Sequence, residues 1–381
     1  MNIPCTLVAV LVASSLLANG DLTVLSLSAD ENAESRWSSS MESDIKTRVA
    51  ALDLPFKPYY DQEIADYIKD YAATGYRETE KMLGATSLFF PVFEHELQLK
   101  NLPDALKYLP IVETGLQNDA VSHAGAAGLW QFVPTTARQY KLKVNSQVDE
   151  RFDVYRASAA AAELLSRLYA QYKDWRLVLA AYNCGPVRVN QAIQEAGCRT
   201  YSEVKEHLPL ETRQYLPRYI AAAYIAANYH YHDLQPEYPD SRLTQLRVTP
   251  VFNAISLGDV AFHTDLDIAL VKQLNPAFKN DLIPSSETGH LLVLPAKEMK
   301  KFKGYLQMIN GGKKLDPVLL YPGYHVKEYI VQPGDSIESL AKTYKCEVQQ
   351  IMDWNSLKKA EVYVLQEVRL FLADASPLNR P

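Results

Sequence analysis

The chain has 381 residues, which is enough for two or three domains. Hydrophobic residues make up 48% of it and charged residues 22%, a composition that is typical of globular proteins and excludes a wholly disordered chain. The formal net charge of -6 argues against a nucleic-acid-binding protein, because binding to phosphates requires a basic surface.

The N-terminal residues have the pattern of an export signal. An apolar run from Thr6 to Ala18 is shorter than a membrane span, and small residues at Ala18 and Gly20 suit a signal peptidase. The pattern predicts a signal peptide at residues 1–20 and a polar, serine-rich linker at 21–44. A buried N-terminal helix is the alternative. Cys5 precedes the apolar run, which is the wrong position for a lipoprotein cysteine.

The region from Glu42 to about Tyr231 shows helical periodicity, with apolar residues three and four positions apart. We predict one helical domain at residues 45–233 and a turn-rich linker from Leu234 to Arg242. The high count of 24 tyrosines in the whole chain favours core packing over sugar binding. Cys184 and Cys198 flank a predicted helix that would hold them roughly 15 Å apart, too far for a disulfide bond. The clearest predicted helices are Asp61–Ala72, Ala157–Tyr172 and Gln214–Tyr229.

The C-terminal residues 326–373 predict a small α/β module. A short strand at Tyr329–Val331 precedes the turn Gly334-Asp335-Ser336, whose Asp or Ser is expected to cap a helix. A second helix at Glu347–Trp354 should end at Asn355, and a final strand should cover Glu367–Phe371. This order of residues resembles the LysM module.

Residues 246–296 repeat that order less clearly. Ile255–Ala261, Leu274-Asn275-Pro276 and Leu291–Pro295 occupy the corresponding places, but a clear Gly-Asp-Ser turn before the helix is missing. The stretch predicts either a degenerate LysM-like module or an unrelated small α/β unit.

Glu113 is the strongest candidate for an acid. It follows the apolar residues Ile111 and Val112 in the last turn of a helix that Gly115 should end. Partial burial near the negative end of the helix dipole should raise its pKa, which suits a general acid at neutral pH.

Two further segments carry residues that suit sugar recognition. In Gly125–Gln131 the small residues allow a tight turn or close approach to a ligand, and Trp130 and Gln131 offer an aromatic face and an amide. Pro134 should then begin a helix. In the third segment, Tyr182 and Asn183 end an apolar helix before Gly185.

In this order the segments resemble the lytic transglycosylases with a goose-type lysozyme-like fold. The pattern reads Glu113-Thr114, Ser122, Gly125-Ala126-Ala127-Gly128-Leu129-Trp130-Gln131 and Ala181-Tyr182-Asn183-Cys184-Gly185. Asp149-Glu150-Arg151, Asp174-Trp175 and Leu208–Arg213 add similarity to the membrane-bound lytic murein transglycosylase D type. The resemblance covers about residues 45–373. Thr114 stands where the family usually has Ser.

The resemblance implies a mainly α fold: a lysozyme-like helical catalytic domain followed by small α/β LysM modules. It also implies that Glu113 is the acid/base, that Tyr182 holds or polarises it, and that Ser122, Gln131, Tyr182 and Asn183 contact substrate. The family cleaves the MurNAc-GlcNAc β-1,4 bond with a single Glu, and the 6-hydroxyl of the sugar closes a 1,6-anhydro ring.

Several other residues are expected to be structural. Asp149, Glu150 and Asp153 could supply a second carboxylate, but a salt-bridged turn with Arg151 is favoured. His230 and His232 look like a metal pair but are expected at a surface helix end. The remaining expectations are a core position for Trp130, a solvated loop for His123 and a structural helix position for Glu163.

The prediction is a peptidoglycan lytic transglycosylase whose LysM modules bind glycan. A lysozyme-type hydrolase and a non-catalytic wall-binding protein are the alternatives. No metal or organic cofactor is implied by the motifs. We expect an exported monomer in the periplasm or cell envelope of a bacterium, with peptidoglycan strands as partner, no nucleic acid, and membrane association left open.

Overall fold

The computed structural model describes residues 36–239, 243, 246–309, 324–344, 346, 348, 351, 352, 355, 357 and 359–373. The predicted signal peptide and residues 21–35 of the predicted linker lie outside them. The chain divides into two compact units. The first runs to Tyr238 and includes Asn275–Asn280, and the second contains the remaining C-terminal residues.

The first unit is helical, as predicted. Its helices are α1 (Glu42–Ala50), α2 (Gln62–Lys69), α3 (Tyr76–Leu99), α4 (Leu109–Thr114), α5 (Pro134–Gln139), α6 (Val154–Tyr172), α7 (Trp175–Cys184), α8 (Pro186–Ala196), α9 (Tyr201–Val204) and α10 (Leu210–Asn228). Short 3-10 turns at 39–41, 104–108, 205–207 and 229–232 and a π turn at 70–74 join them.

Local sequence sets several of these helix starts. The carboxylates of Asp61, Asp153 and Asp174 accept hydrogen bonds from the first-turn amides of α2, α6 and α7. Pro134 begins α5 as predicted, and Pro186 begins α8 where proline costs no hydrogen bond.

The core of this unit lies around α10, which packs against α2 and α7, while α3 and α7 both pack on α6. Ala157 and Ala160–Ala162 on α6 and Ala221–Ala223 on α10 are buried, which lets these helices approach closely. Tyr215, Tyr219 and Tyr224 on α10 are fully buried, so the prediction that tyrosines serve the core is confirmed for this helix.

Ordered structure begins before the predicted boundary at residue 45. A 3-10 turn covers Ser39–Met41, α1 starts at Glu42, and Arg36 is buried. Residues 36–44 therefore do not form the flexible linker that their serine-rich composition predicted. The cause is tertiary: the Arg36 carbonyl oxygen lies 2.6 Å from Nδ1 of buried His232, and Trp37 stacks on the same ring.

The predicted linker after residue 233 is also partly fixed. The Glu237 amide donates to the Glu80 carbonyl at 2.9 Å, and the Gln235 amide donates to the Glu80 side chain at 2.8 Å. Gly84 permits this approach, because a Cβ there would lie 1.8 Å from the Glu237 carbonyl oxygen.

The second unit begins with a β-β-α-α-β-β-α arrangement. Strands β1 (Leu246–Val251) and β4 (His290–Pro295) pair antiparallel from Leu246↔Pro295 to Val251↔His290, and β2 (Ile255–Ser256) pairs with β3 (Leu282–Ile283). Helices α11 (Leu257–Thr264), α12 (Ile268–Leu274) and α13 (Ala296–Ile309) accompany them. Ser256 caps α11 by accepting from the Asp259 amide at 2.9 Å, in place of the missing Gly-Asp-Ser turn.

The C-terminal module has the predicted strand-helix-strand order. Strands β5 (Tyr324–Ile330) and β6 (Glu367–Ala373) pair antiparallel, and α14 (Ile337–Tyr344) follows the Gly334 turn. Of the second predicted helix, residues 348, 351 and 352 are helical and residues 347, 349, 350, 353 and 354 lie outside the described part. The buried cluster consists of Val331, Ile337, Leu340, Ala341, Ile351, Val368 and Leu370.

In the turn before α14, Asp335 and Ser336 have different structural roles. Ser336 is the cap, since its hydroxyl oxygen accepts from the Ser339 amide at 3.2 Å. Asp335 accepts instead from the Gln332 amide at 2.8 Å and the Tyr329 hydroxyl at 2.7 Å, and so closes the turn. Gly334 has φ of +93°, a conformation that glycine adopts without strain.

Candidate active site

Glu113 lies in the last turn of α4, as predicted, and Gly115 ends the helix in the left-handed conformation. Its neighbours Leu109 and Ile111 are buried, and only 6% of Glu113 is exposed. The short helix thus carries a carboxyl group into the interior of the first unit. Thr114, which replaces the usual Ser, donates its hydroxyl to the Pro110 carbonyl at 3.1 Å and is buried beside it.

One oxygen of Glu113 is held and the other is not. The Tyr215 hydroxyl on α10 donates to Oε1 at 2.5 Å. Oε2 is buried and has no hydrogen-bond partner among the described residues. A buried acceptor without a partner is costly in a folded protein, so such an atom is a candidate for ligand contact.

The environment of Glu113 raises its pKa to about 7. The largest cause is burial, which disfavours the charged form, and the nearby Glu211 carboxylate adds to it. The Tyr215 hydrogen bond and the Arg218 guanidinium act in the opposite direction. A carboxyl group with this pKa can both give and take a proton at neutral pH.

Tyr182 does not hold Glu113 in the way the resemblance implied. Its buried hydroxyl donates to the Trp130 carbonyl at 2.7 Å, and Tyr215 makes the hydrogen bond to Glu113. Tyr182 is nevertheless close enough for the Glu113 charge to raise its pKa, in addition to the larger effect of burial. Tyr182 therefore links α7 to the Trp130-Gln131 segment by a hydrogen bond and lies near Glu113.

Ser122 and Gln131 belong to one compact loop. The Ser122 hydroxyl oxygen accepts from the Ala126 amide at 3.0 Å, and the Gln131 side-chain nitrogen donates to the Gly128 carbonyl at 2.8 Å. Gly128 is required by close packing, because a Cβ would lie 2.0 Å from the Arg151 carbonyl oxygen. The small residues of Gly125–Gln131 were predicted to allow either a tight turn or close approach to a ligand. At Gly128 the structure shows a tight turn packed against protein backbone.

Trp130 lies in the core. It is buried, its ring nitrogen donates to the Ser158 hydroxyl at 2.9 Å, and its ring meets Phe93 edge-on with centroids 5.0 Å apart. The core prediction for Trp130 is confirmed.

Asn183 resembles Glu113 in how its two polar atoms are used. The residue is 1% exposed, and Oδ1 accepts from the Thr212 hydroxyl at 2.8 Å. Nδ2 is buried without a hydrogen-bond partner in the described part of the chain. Thr212 lies on α10 one turn before Tyr215, so a single helix holds both residues.

The Asp149–Asp153 segment is the predicted salt-bridged turn. The Arg151 guanidinium binds both Asp149 oxygens at 2.8 Å and donates to the carbonyls of Gly125 and Phe132. Although burial opposes it, the bonds and charge of Arg151 lower the Asp149 pKa. Glu150 accepts from the Lys143 amide at 2.7 Å, and Asp153 caps α6. Burial raises the Asp153 pKa to about 6.

The predicted surface position is wrong for His232, which is completely buried between the Arg36 carbonyl and the Tyr224 hydroxyl. Burial lowers its pKa and lowers that of His230 to about 4. Within the described residues, no group of three His, Cys, Asp or Glu side chains is arranged for a metal ion.

The other structural predictions are confirmed. His123 is exposed, and Glu163 pairs with Lys100 and Arg167 on the surface. The helix between the two cysteines is α8, and both Cys184 and Cys198 are free thiols.

Three family descriptions match the chain in order. The transglycosylase SLT domain matches residues 90–205, the LysM-like domain of lytic transglycosylase MltD matches 245–311, and the LysM domain matches 329–371. The middle module is thus LysM-like, which decides between the two interpretations of its sequence. The membrane-bound lytic murein transglycosylase D of Escherichia coli is 29% identical over 275 residues, or 70% of this chain.

The chain is a homologue of that protein and carries an SLT domain. It spans 60% of the length of that relative. Two solved structures share partial likeness with this SLT homologue. The lytic transglycosylase Slt of Pseudomonas aeruginosa, an inactive mutant, is 25% identical with a TM-score of 0.32, covering 38% of this chain and 24% of that one. The 70 kDa soluble lytic transglycosylase of Escherichia coli is 20% identical with a TM-score of 0.35, covering 44% and 29%.

The fold class predicted from the sequence is confirmed: a helical SLT domain followed by small α/β LysM modules. In the described part of this SLT homologue, no helix is both long enough and apolar enough to cross a bilayer.

Proposed function

We propose that the chain is a peptidoglycan lytic transglycosylase that cleaves the MurNAc-GlcNAc β-1,4 bond with Glu113 as its single acid/base. The observation that carries the proposal is the different environment of the two carboxyl oxygens of Glu113. Oε1 is fixed by Tyr215, while Oε2 is buried, unpartnered among the described residues, and part of a carboxyl group with a pKa of about 7.

In the proposed reaction, protonated Glu113 gives its proton to the glycosidic oxygen as the bond to the anomeric carbon breaks. The N-acetyl oxygen of the substrate forms a bond to that carbon and stabilises it. The Glu113 carboxylate then takes the proton of the 6-hydroxyl, whose oxygen displaces the N-acetyl oxygen and closes the 1,6-anhydro ring. An intramolecular hydroxyl has a large advantage in effective concentration over water.

Hydrolysis, the first alternative, requires a second carboxylate that places a water molecule or attacks the sugar. The carboxylates of the Asp149–Asp153 turn, which the sequence suggested for this role, are engaged elsewhere in the structure. Asp149 is bound by both arms of Arg151, Glu150 accepts from a backbone amide, and Asp153 caps α6. This engagement favours the transglycosylase reaction over hydrolysis.

The test is mass analysis of the products from purified peptidoglycan. We expect muropeptides ending in 1,6-anhydro-N-acetylmuramic acid, lighter by one water than the products of a lysozyme digest run in parallel. Reducing ends would replace the proposal with hydrolysis. If the chain binds walls but releases nothing, the non-catalytic alternative is correct.

We further propose that Ser122, Gln131, Tyr182 and Asn183 contact the sugar and that the C-terminal module binds glycan without cleaving it. Deleting residues 326–373 should weaken attachment to intact walls and leave cleavage of short soluble glycans largely unchanged. The isolated fragment, once its folding is verified by circular dichroism, should sediment with insoluble peptidoglycan and be released by N-acetylglucosamine oligomers. A folded fragment that stays in the supernatant would contradict glycan binding by this module.

We propose from this substrate that the protein is exported to the bacterial envelope, and we keep the monomeric state as a separate prediction. Export is tested by comparing the N-terminus of the mature protein with the predicted cleavage after Gly20. Membrane attachment is tested by fractionation of cells that produce the full chain. Protein that remains in the cytosol with an intact N-terminus would contradict this location.

A further inference from the structure

Helix α10 carries two hydroxyl groups that hold two residues of the proposed site. Thr212 and Tyr215 are three residues apart, so their side chains lie on the same face of the helix. Tyr215 donates to Glu113 on α4, and Thr212 donates to Asn183 on α7. Thr212 is buried, and Tyr215 is buried next to it. The acid and the amide are therefore both positioned from one helix face.

The Thr212 hydroxyl faces the acceptor end of the Asn183 side chain, which leaves the donor end for a ligand. An asparagine amide has an acceptor end and a donor end of nearly the same shape, and only its partners distinguish them. Because the Thr212 hydroxyl donates to Oδ1, the acceptor end is engaged. The donor end, Nδ2, is left buried and unpartnered among the described residues.

Asn183 and Glu113 share an arrangement that structural roles alone do not explain. In each side chain one polar atom is held by α10, and the other polar atom is buried without a partner. A buried donor left unsatisfied is costly in a folded protein. In a bound complex, a ligand acceptor that binds Asn183 Nδ2 and a ligand group that binds Glu113 Oε2 would remove this cost.

We propose that Thr212 is a positioning residue that orients the Asn183 amide, so that Nδ2 donates to an acceptor oxygen of the bound glycan. This inference rests on the proposed function, because it assumes that the ligand of the site is a glycan strand. It assigns a role to one residue of the Leu208–Arg213 segment, and it makes Asn183 a donor toward the substrate.

The test uses the full chain with Thr212→Val, which keeps the shape of the side chain and removes the hydroxyl. Cleavage of solubilised glycan strands should lose roughly tenfold in kcat/KM, mainly through a higher KM, the size expected for one hydrogen bond. Thr212→Ser retains the hydroxyl and should restore most of the loss. Thr79→Val is the matched control, since Thr79 is buried on α3 and its hydroxyl donates to the Gly75 carbonyl at 3.1 Å.

Two readouts separate positioning from a merely structural role. The pH at which activity falls should not move in Thr212→Val, because Tyr215 still holds Glu113. In an Asn183→Ala background, Thr212→Val should cause no further loss in kcat/KM, since the amide that it orients is absent. Equal losses in both backgrounds, or equal values for the Val and Ser variants, would overturn the inference.

Binding distinguishes failure of the inference from failure of the proposed function. Affinity for soluble glycan strands is measured in the Glu113→Gln background, with and without Thr212→Val. If wild type binds but does not cleave, the proposed reaction is wrong, and a roughly tenfold weaker affinity of the Val variant still supports the positioning role. Binding that is unaffected by Thr212→Val, or no binding by any variant, would overturn it.

Discussion

Two buried acidic regions of the first unit have opposite chemistry. At Glu113, a neutral hydroxyl is the nearest partner, and burial raises the pKa of the carboxyl group to about 7. At Asp149, a guanidinium binds both oxygens and lowers the pKa of the carboxyl group. Burial is common to both. The partner therefore decides whether a buried carboxyl group is an acid at neutral pH or a permanent ion.

The largest effect should come from removing the acid itself. Glu113→Gln keeps the shape of the side chain but can neither give nor take a proton. Loss of acid/base catalysis costs about a hundred- to ten-thousand-fold, and we expect the upper end because one residue serves both steps. The measurement is the release of soluble muropeptides, with Glu163→Gln on the surface as control. Activity near that of the wild type would place the chemistry elsewhere.

The next largest effect should come from breaking the buried Arg151–Asp149 ion pair, which should lower stability. Arg151→Met leaves Asp149 buried without its main cation and should lower the free energy of unfolding by about 3–5 kcal/mol. Urea unfolding followed by tryptophan fluorescence reports on this unit, which contains Trp37, Trp130 and Trp175. Arg167→Met, which breaks an exposed pair, should cost less than about 1 kcal/mol. Equal losses in the two variants would contradict the comparison.

The pH dependence of stability should have opposite signs at the two carboxyl groups. In the folded protein Glu113 has a pKa of about 7, whereas in the unfolded chain its pKa is near 4.5. Its contribution is therefore present below about 4.5 and is lost as pH rises to about 7, at up to about 1.4 kcal/mol per pH unit. Asp149 contributes above its unfolded pKa of 3.8, and this contribution is lost on acidification.

Variants isolate each contribution, because Glu96 and Asp153 also have raised pKa values. The unfolding free energy of the wild type minus that of Glu113→Gln should decrease as pH rises from about 4.5 to about 7. A difference that does not change over this range would mean that Glu113 is not protonated in the folded protein.

The smallest effect should come from the hydroxyl beside the acid. Tyr215→Phe removes the hydrogen bond that lowers the Glu113 pKa, so the alkaline limit of activity should move to higher pH. Stability should fall by about 1 kcal/mol, as for one hydrogen bond. Tyr182→Phe is the comparison, because its hydroxyl binds the Trp130 carbonyl and should leave that limit unchanged. An equal shift in both variants would contradict the assignment of Tyr215.

The position of Glu113 could be predicted because its causes are local. An apolar run, a carboxylate and Gly115 follow one another, and together they determine the helix end and its burial. The same holds for the Ser336 cap and the salt-bridged turn at Arg151, whose partners lie within a few residues. Periodicity and turn chemistry describe such short-range contacts well.

Tyr215 and His232 could not be placed in this way. Tyr215 is 102 residues from Glu113, and no local pattern marks it as a partner. The signals that the sequence offers are the place of Tyr215 two residues after the Leu208–Arg213 segment and the apolar face of the helix. His232 looked polar and terminal, yet it is covered by Arg36, which is 196 residues away. Contacts of this range depend on how helices pack, which a single sequence does not specify.

The contact between Arg36 and His232 has a consequence for how this domain can be combined with others. It brings two points that are 196 residues apart along the chain within 2.6 Å of each other. A domain that enters and leaves at nearly one place interrupts a host loop very little, because the gap it opens in the host is short and adds little loop entropy. The stretch from Arg36 to His232 therefore begins and ends at nearly one point, which is the geometry that tolerates insertion of a segment into a surface loop.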